Sequence, residues 1–291
     1  MFRRLIGCAA FAFLLMMAVP TAAHANLSRS EPFANASLNE APSEIRLWFT
    51  EPLEPQFSRI TLLDANGTTV ATPPSAVDPV DPYQMVLHPG DLPDGVYTVS
   101  WRALSSADGH VTQGSYAFSI GVAAPDSAAG AVVNESAPVE NVVVRWINLA
   151  SASLLIGGIG FWLFVWKPMN ARRLRVLTGV GWVMVGIALA LILAMQTATA
   201  AESLSVEAAL QITTSTNFGL LWLTRVALWL VIGGALLLSR SNERLLWVAL
   251  ICGAAMLLVH AMNSHASAAQ DVPVAVVNDW LHLLASSLWF G

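Results

Sequence analysis

Leu92-Pro93-Asp94-Gly95-Val96-Tyr97-Thr98-Val99-Ser100-Trp101-Arg102, with Ser105-Ser106-Ala107-Asp108-Gly109-His110 close behind, decides how the first half of the chain is read. Tyr97, Val99 and Trp101 alternate with Thr98, Ser100 and Arg102, the period of a half-buried strand. Beyond the small polar run, Tyr116, Phe118 and Ile120 alternate with Ser115, Ala117 and Ser119. Asp108-Gly109-His110 therefore falls in a turn between two strands, and Gly109 permits a tight bend there. A carboxylate and an imidazole two residues apart on such a turn can be aimed at one point. The plainer reading is an aspartate bonding its own backbone beside a solvated histidine.

Outward from this pair the pattern continues. Ile45, Leu47 and Phe49 alternate with Arg46 and Trp48. Residues 60–63 and 68–71 flank Asn66-Gly67, a strong hairpin signal, and residues 84–87 form a further candidate strand. Pro42, Pro52, Pro55, Pro73, Pro74 and Pro93 break up the runs. Many short strands with frequent turns predict an all-β sandwich of about 100 residues, placed at 24–122. Within it Arg29, Arg46, Arg59 and Arg102 stand against eleven Asp and Glu. That balance favours cations and excludes nucleic acid as a partner. His88, in His88-Pro89-Gly90, reads as a surface-turn histidine.

Residues 1–23 read as a secretory signal. Arg3 and Arg4 precede an apolar run at 5–19, Pro20 ends it, and Thr21-Ala22-Ala23 is a small-residue cleavage site. A cut after Ala23 makes His24 the first residue of the mature chain. A terminal histidine offers a free α-amine and a ring Nδ1 to one metal ion, which no internal histidine can do. Ala23-His24-Ala25 is itself a rival cleavage site, and a cut there leaves Asn26 first. The two cysteines, Cys8 in the leader and Cys252 in an apolar segment, permit neither a disulfide framework nor a thiolate site.

The whole chain is 55% hydrophobic and only 11% charged, against roughly 25% charged in ordinary soluble domains. The excess lies after residue 140. Residues 123–140, rich in Ala, Pro, Ser and Gly, read as a flexible linker. Residues 141–291 read as an all-α polytopic membrane domain with spans at 142–166, 176–198, 218–238, 245–262 and 274–291, each near the roughly 20 residues a bilayer needs. Lys167, Arg172, Arg173, Arg175, Arg240 and Arg244 fall in two alternate loops, and the intervening loops carry no Lys or Arg. The positive-inside rule puts those basic loops in the cytoplasm and the β domain outside. His260, His265 and His282, with Met262 and Met195, then lie toward the outer face, where imidazole and thioether groups can accept a soft metal ion. Arg145 reads as interfacial. Arg225, inside a span, needs an acid or backbone carbonyls as partner.

Two resemblances bear on these readings. The run from His24-Ala25-Asn26-Leu27 through Ser30-Glu31-Pro32, Ala41-Pro42 and Leu47-Trp48-Phe49-Thr50-Glu51-Pro52, together with residues 92–102 and Ser106-Ala107-Asp108-Gly109-His110, resembles the CopC-like periplasmic copper-binding domain. The resemblance implies a Greek-key barrel or sandwich of seven to eight strands. It also implies a Cu(II) site of the mature terminal histidine, an aspartate and a second histidine, mapping onto His24, Asp108 and His110. Nitrogen and oxygen donors suit Cu(II). Some members carry a methionine-rich loop for Cu(I). Met85 is the sole methionine between leader and membrane region, so no such site is expected in this domain.

Asn263-Ser264-His265-Ala266 and the stretch Trp280-Leu281-His282-Leu283-Leu284-Ala285-Ser286-Ser287-Leu288-Trp289-Phe290-Gly291 resemble the CopD-like copper resistance membrane domain. The order of the two parts is similar to fused CopC–CopD proteins. That family has more spans than five, so the C-terminus reads as truncated.

The expectation is a multi-pass protein of a bacterial cytoplasmic membrane. It takes Cu(II) from outside, in solution or from periplasmic copper proteins, and hands copper to the membrane domain, whose Met and His groups suit Cu(I), for import, homeostasis or resistance. It is expected not to be an enzyme, and no nucleotide motif is present. Two other readings stay open: a histidine-brace oxidative copper enzyme, and a membrane-tethered copper sensor or haem protein.

Overall fold

The computed structural model describes residues 25–123, 132–133, 139–165, 172–268 and 271–290. His24 and the leader lie outside the described residues, as does Lys167.

The first part is a sandwich of two sheets. One has the order β1 (Leu27–Glu31), β3 (Ile45–Phe49), β6 (Gln84–Leu87), β5 (Ala76–Val77), all antiparallel. The other has the order β2 (Ser37–Leu38), β8 (Val111–Ile120), β7 (Gly95–Leu104), β4 (Arg59–Leu63), with β2 running parallel to β8. Alternation sets the faces. Ile45, Leu47 and Phe49 are buried while Arg46 and Trp48 are half-buried on the outer side. Tyr97, Val99 and Trp101 meet them from β7 across the core. Phe49 and Trp101 pack edge to face with centroids 5.2 Å apart, and Tyr97 stacks on Phe118 at 5.7 Å. Such pairs add to plain area burial. Met85 is fully buried within this core, so its thioether is committed to packing.

Two local expectations need adjusting. Asn66-Gly67 does form a turn: Gly67 has φ of 77° and Asp64 Oδ1 accepts from the amides of Asn66 and Thr68. The returning limb at 68–71 is no strand, and makes only a bridge between Leu63 and Thr69. Pro73 and Pro74 follow it and lack amide donors to extend a ladder. Within the expected linker, β9 (Val132–Val133) pairs with Gln113 and Gly114 of β8, so the connection is pinned to the sandwich at that point.

The second part comprises α1 (Val139–Phe164), α2 (Arg172–Ala201), α3 (Val206–Ser215), α4 (Asn217–Leu238), α5 (Leu245–Ala261), a 3-10 turn (His265–Ala268) and α6 (Val272–Phe290). Among the described residues, three helical stretches are long and apolar enough to cross a membrane: Val142–Phe164, Arg172–Ala201 and Asn217–Leu238. The 17-residue α5 is a shorter apolar helix.

The outward faces of α2 and α4 are apolar: Val176, Val180, Val183, Ile187, Leu220, Leu230 and Leu237 are exposed. A water-soluble bundle would bury such faces, and lipid accepts them. Between the helices, Trp182 and Trp229 stack with centroids 4.5 Å apart, and each indole N–H donates to the other's carbonyl at 2.8 Å. Arg225, buried within α4, donates from Nη2 to Asn148 Oδ1 of α1 at 2.8 Å. The expected acid or backbone carbonyl is replaced by a side-chain amide.

The sandwich sits on one end of the bundle. Phe57 and Leu104 share an apolar cluster with Ala200, Ile212 and Phe218. Arg59 and Arg102 both reach Glu202, at 2.6 Å and 3.0 Å, and Arg102 also donates to the carbonyl of Thr199. Arg172, Arg173 and Arg175 start α2, about 45 Å along the helix from Glu202.

Candidate metal centre

Asp108, Gly109 and His110 close the turn between β7 and β8. The Ser105 amide donates to the carbonyl of His110 at 2.9 Å, and that of Gly109 to the carbonyl of Ser105 at 3.1 Å. Gly109 has φ of 73°, which side chains disfavour, and a Cβ there would lie 3.3 Å from the Gln196 side chain. Beneath the turn, Ser105 Oγ donates to buried Glu51 Oε2 at 2.6 Å and accepts from the amide of Ala107 at 3.1 Å.

The turn presents two donors together. Asp108 Oδ1 accepts from the His110 amide at 2.9 Å, the local aspartate turn of the plainer reading. Its other oxygen, Oδ2, lies 2.8 Å from His110 Nδ1. The Asp108 side chain has no exposure and that of His110 is 25% exposed. His110 Nε2 meets Nη2 of Arg145 on α1 at 2.9 Å. A guanidinium only donates, so Nε2 is the acceptor and the ring proton sits on Nδ1.

The described chain begins beside this turn. Thr112 Oγ1 donates to the carbonyl of buried Ala25 at 2.6 Å, while Asn26 exchanges bonds with Thr50 at 2.9 and 3.0 Å. His24 is covalently joined to this anchored residue and lies outside the described part. Among the described residues no group of three His, Cys, Asp or Glu could hold a metal ion.

The membrane part clamps the same turn. Asn217 Nδ2 donates to the carbonyl of Ser106 at 3.1 Å, Ser267 Oγ to that of Ala107 at 2.7 Å, and Gln196 Nε2 to that of Gly109 at 2.9 Å. The Asn217 amide donates to Glu54 Oε1 at 3.0 Å. Burial pushes the Glu54 carboxyl up, and that amide bond opposes the shift. Arg59, then Arg102, hold the Glu202 carboxyl below the usual range.

The expected membrane candidates are less gathered. His260, in the last turn of α5, is partly enclosed. Met195 is partly buried beside Gln196, Met262 is exposed at the end of α5, and His282 is exposed on α6. His265 opens the 3-10 turn whose Ser267 grips the Ala107 carbonyl. Reading the sequence alone missed Glu51, Gln196, Asn217 and Ser267, and read Arg145 as interfacial without its contact to His110. Their one shared sign is a polar residue at or just beyond the end of an apolar run.

Residues 27–121 match the family described as CopC domain, and residues 136–275 the family described as Copper resistance protein D-like, N-terminal domain. The chain is 30% identical over 298 residues to the Copper transport protein CutJ of Bacillus subtilis (strain 168), covering 96% of this chain and 54% of that relative. It thus spans about half the length of CutJ. Over 105 residues it is 37% identical to Copper resistance protein C of Escherichia coli, covering 34% of this chain and 82% of that protein. The crystal structure of CopC from Methylosinus trichosporium OB3b is similar over 36% of this chain and 98% of its own, at 30% identity and a TM-score of 0.32. The names of the first two are those of copper transport and copper resistance proteins. With both halves matched in order and the β domain covering most of a copper resistance protein C, the chain belongs to the family of fused CopC-like and CopD-like copper resistance proteins.

Proposed function

We propose that the β domain binds Cu(II) on the outer side of the cytoplasmic membrane through His24 as mature N-terminus, Asp108 and His110. The membrane domain then takes copper onward for import or homeostasis, acting as a carrier and not as an enzyme. The observation that carries this reading is the 2.8 Å separation of Asp108 Oδ2 and His110 Nδ1. Two donors bound at right angles to one ion about 2.0 Å away stand about 2.8 Å apart, the spacing of neighbouring ligands in a tetragonal site. The pair thus fits a metal once Nδ1 gives up its proton. The anchoring of Ala25 by Thr112, two residues from His110, supports a terminal ligand arriving at the same turn.

The clamp by Gln196, Asn217 and Ser267 supports transfer, since the turn rests on the membrane domain itself. The arginines at the far end of α2 support an outward β domain. His260, His265, His282, Met262 and Met195 are the proposed acceptors in the membrane domain.

The test is N-terminal sequencing of the mature protein combined with Cu(II) titration of the purified full chain in detergent. The expected first residue is His24, and His24→Ala should lose most Cu(II) affinity. A mature chain starting at Asn26, or full affinity in that variant, overturns the assignment.

A further inference from the structure

We propose that Arg145 competes with copper for His110. The inference rests on His110 being a copper ligand, as proposed above. Neutral imidazole carries one N–H and one lone-pair nitrogen. In this structure that lone pair, on Nε2, accepts from Arg145 Nη2 at 2.9 Å. A metal ion needs the same single lone pair. If copper binds Nε2, it displaces the guanidinium directly. If copper binds Nδ1, beside Asp108 Oδ2, the ring N–H passes to Nε2 and faces the Arg145 donors. Whichever nitrogen is taken, metallated His110 offers Arg145 no ring lone pair to donate to. Copper occupancy and the Arg145–His110 contact exclude each other.

The placement of Arg145 gives this exclusion a direction. Arg145 belongs to α1 of the membrane domain, whereas His110 belongs to the β domain. The guanidinium therefore opposes copper when the turn is docked and is withdrawn when the domains part. Docking lowers the affinity of the donor site next to the domain that receives the metal. By linkage, copper loading must in turn weaken the docked contact to the same degree.

The experiment is a competitive Cu(II) titration of the full chain in detergent micelles, comparing wild type, Arg145→Met, His110→Ala and the double variant. Loss of one hydrogen bond from a charged donor should raise Cu(II) affinity about tenfold in Arg145→Met. In the His110→Ala background the same change should have no effect, which separates competition at His110 from general loosening. Nitrogen NMR of the metal-free imidazole should move at Nε2 in Arg145→Met and keep its proton on Nδ1. If His110→Ala keeps wild-type affinity, the copper-site reading itself fails. If His110→Ala loses affinity while Arg145→Met leaves it unchanged or lower, the site stands and the competition is refuted.

Discussion

Asp108 grips His110 twice, with Oδ1 accepting from the backbone amide at 2.9 Å and Oδ2 facing ring Nδ1 at 2.8 Å. The two oxygens have separate roles. Oδ1 shapes the turn, and Oδ2 with Nδ1 is the proposed donor pair. Asp108→Asn can keep the first bond through its amide oxygen while losing the carboxylate charge. It should lower Cu(II) affinity at least as much as loss of an outer partner of a ligand, about 10–100-fold, with little change in Tm. Asp108→Ala should lose both affinity and some Tm, since the turn amide is left without its acceptor. Titration and thermal melting of the two variants separate the roles; equal affinities in Asp108→Asn and wild type would remove Asp108 from the site.

Acidification should act on the domain interface through two carboxyls of opposite sign. Glu202 is held low by Arg59 and Arg102, so its contribution is present above the ordinary carboxylate range, near pH 4.3, and is lost as pH falls through its lowered value. The Glu202 side chain is 52% exposed and that of Arg102 9%, so solvent screening limits the worth of these pairs to about 1 kcal/mol or less. Glu54 is raised by burial, so its contribution is full below the unfolded value and is lost as pH rises through the raised one. Glu54→Gln keeps an acceptor for the Asn217 amide without a buried charge. Hydrogen exchange at that amide should be equally or more protected at neutral pH in this variant. Glu202→Gln should flatten the loss of docking below pH 4, followed by proteolysis between the domains.

How much of this was readable depends on where a residue's partner lies. The strands at 45–49, 97–101 and 116–120 carry their faces in the alternation, because one side of each packs in the core. β1, with no buried residue in its pattern, carries no such mark, and two-residue strands such as β2 and β9 are too short to show a period. Asp108 and His110 are two residues apart, so the turn at Gly109 made their approach one of two local readings. Gln196 and Gly109 lie 87 residues apart, and Asn217 and Ser106 lie 111 apart. No local pattern encodes those bonds. Arg225 announced that it needed a partner by sitting in an apolar run. Nothing in the sequence distinguished Asn148 from the other polar residues able to meet it.

Asn148 gives a direct test of that pairing. Arg225 Nη2 has the Asn148 amide oxygen at 2.8 Å, and both residues are buried. Asn148→Leu removes the acceptor and leaves a charged donor in the interior, which should cost about 1–3 kcal/mol. Asn148→Asp supplies an acceptor of opposite charge and should retain or exceed wild-type stability. Thermal unfolding in detergent measures both. Equal melting of Asn148→Leu and wild type would show that Arg225 finds water or another acceptor.

The packing of α2 against α4 turns on the reciprocal tryptophans. Trp182 and Trp229 stack nearly parallel, at 4°, and each is bonded to the other's backbone, so neither ring can swing without losing a hydrogen bond. Two glycines make room for them. A Cβ on Gly186 would meet Trp229 at 2.6 Å, and one on Gly233 would meet Trp182 at 2.7 Å. Rings fixed on both faces cannot yield as a flexible chain end would. Gly233→Ala should therefore destabilise by about 1–3 kcal/mol, although alanine is the better helix former by about 1 kcal/mol. Gly234, its neighbour, has nothing within 4 Å of its added Cβ, so Gly234→Ala should be neutral or stabilising. Melting temperatures of the two variants decide it: a loss confined to position 233 identifies the tryptophan pair as the cause, and equal effects at both would assign it to the helix backbone instead.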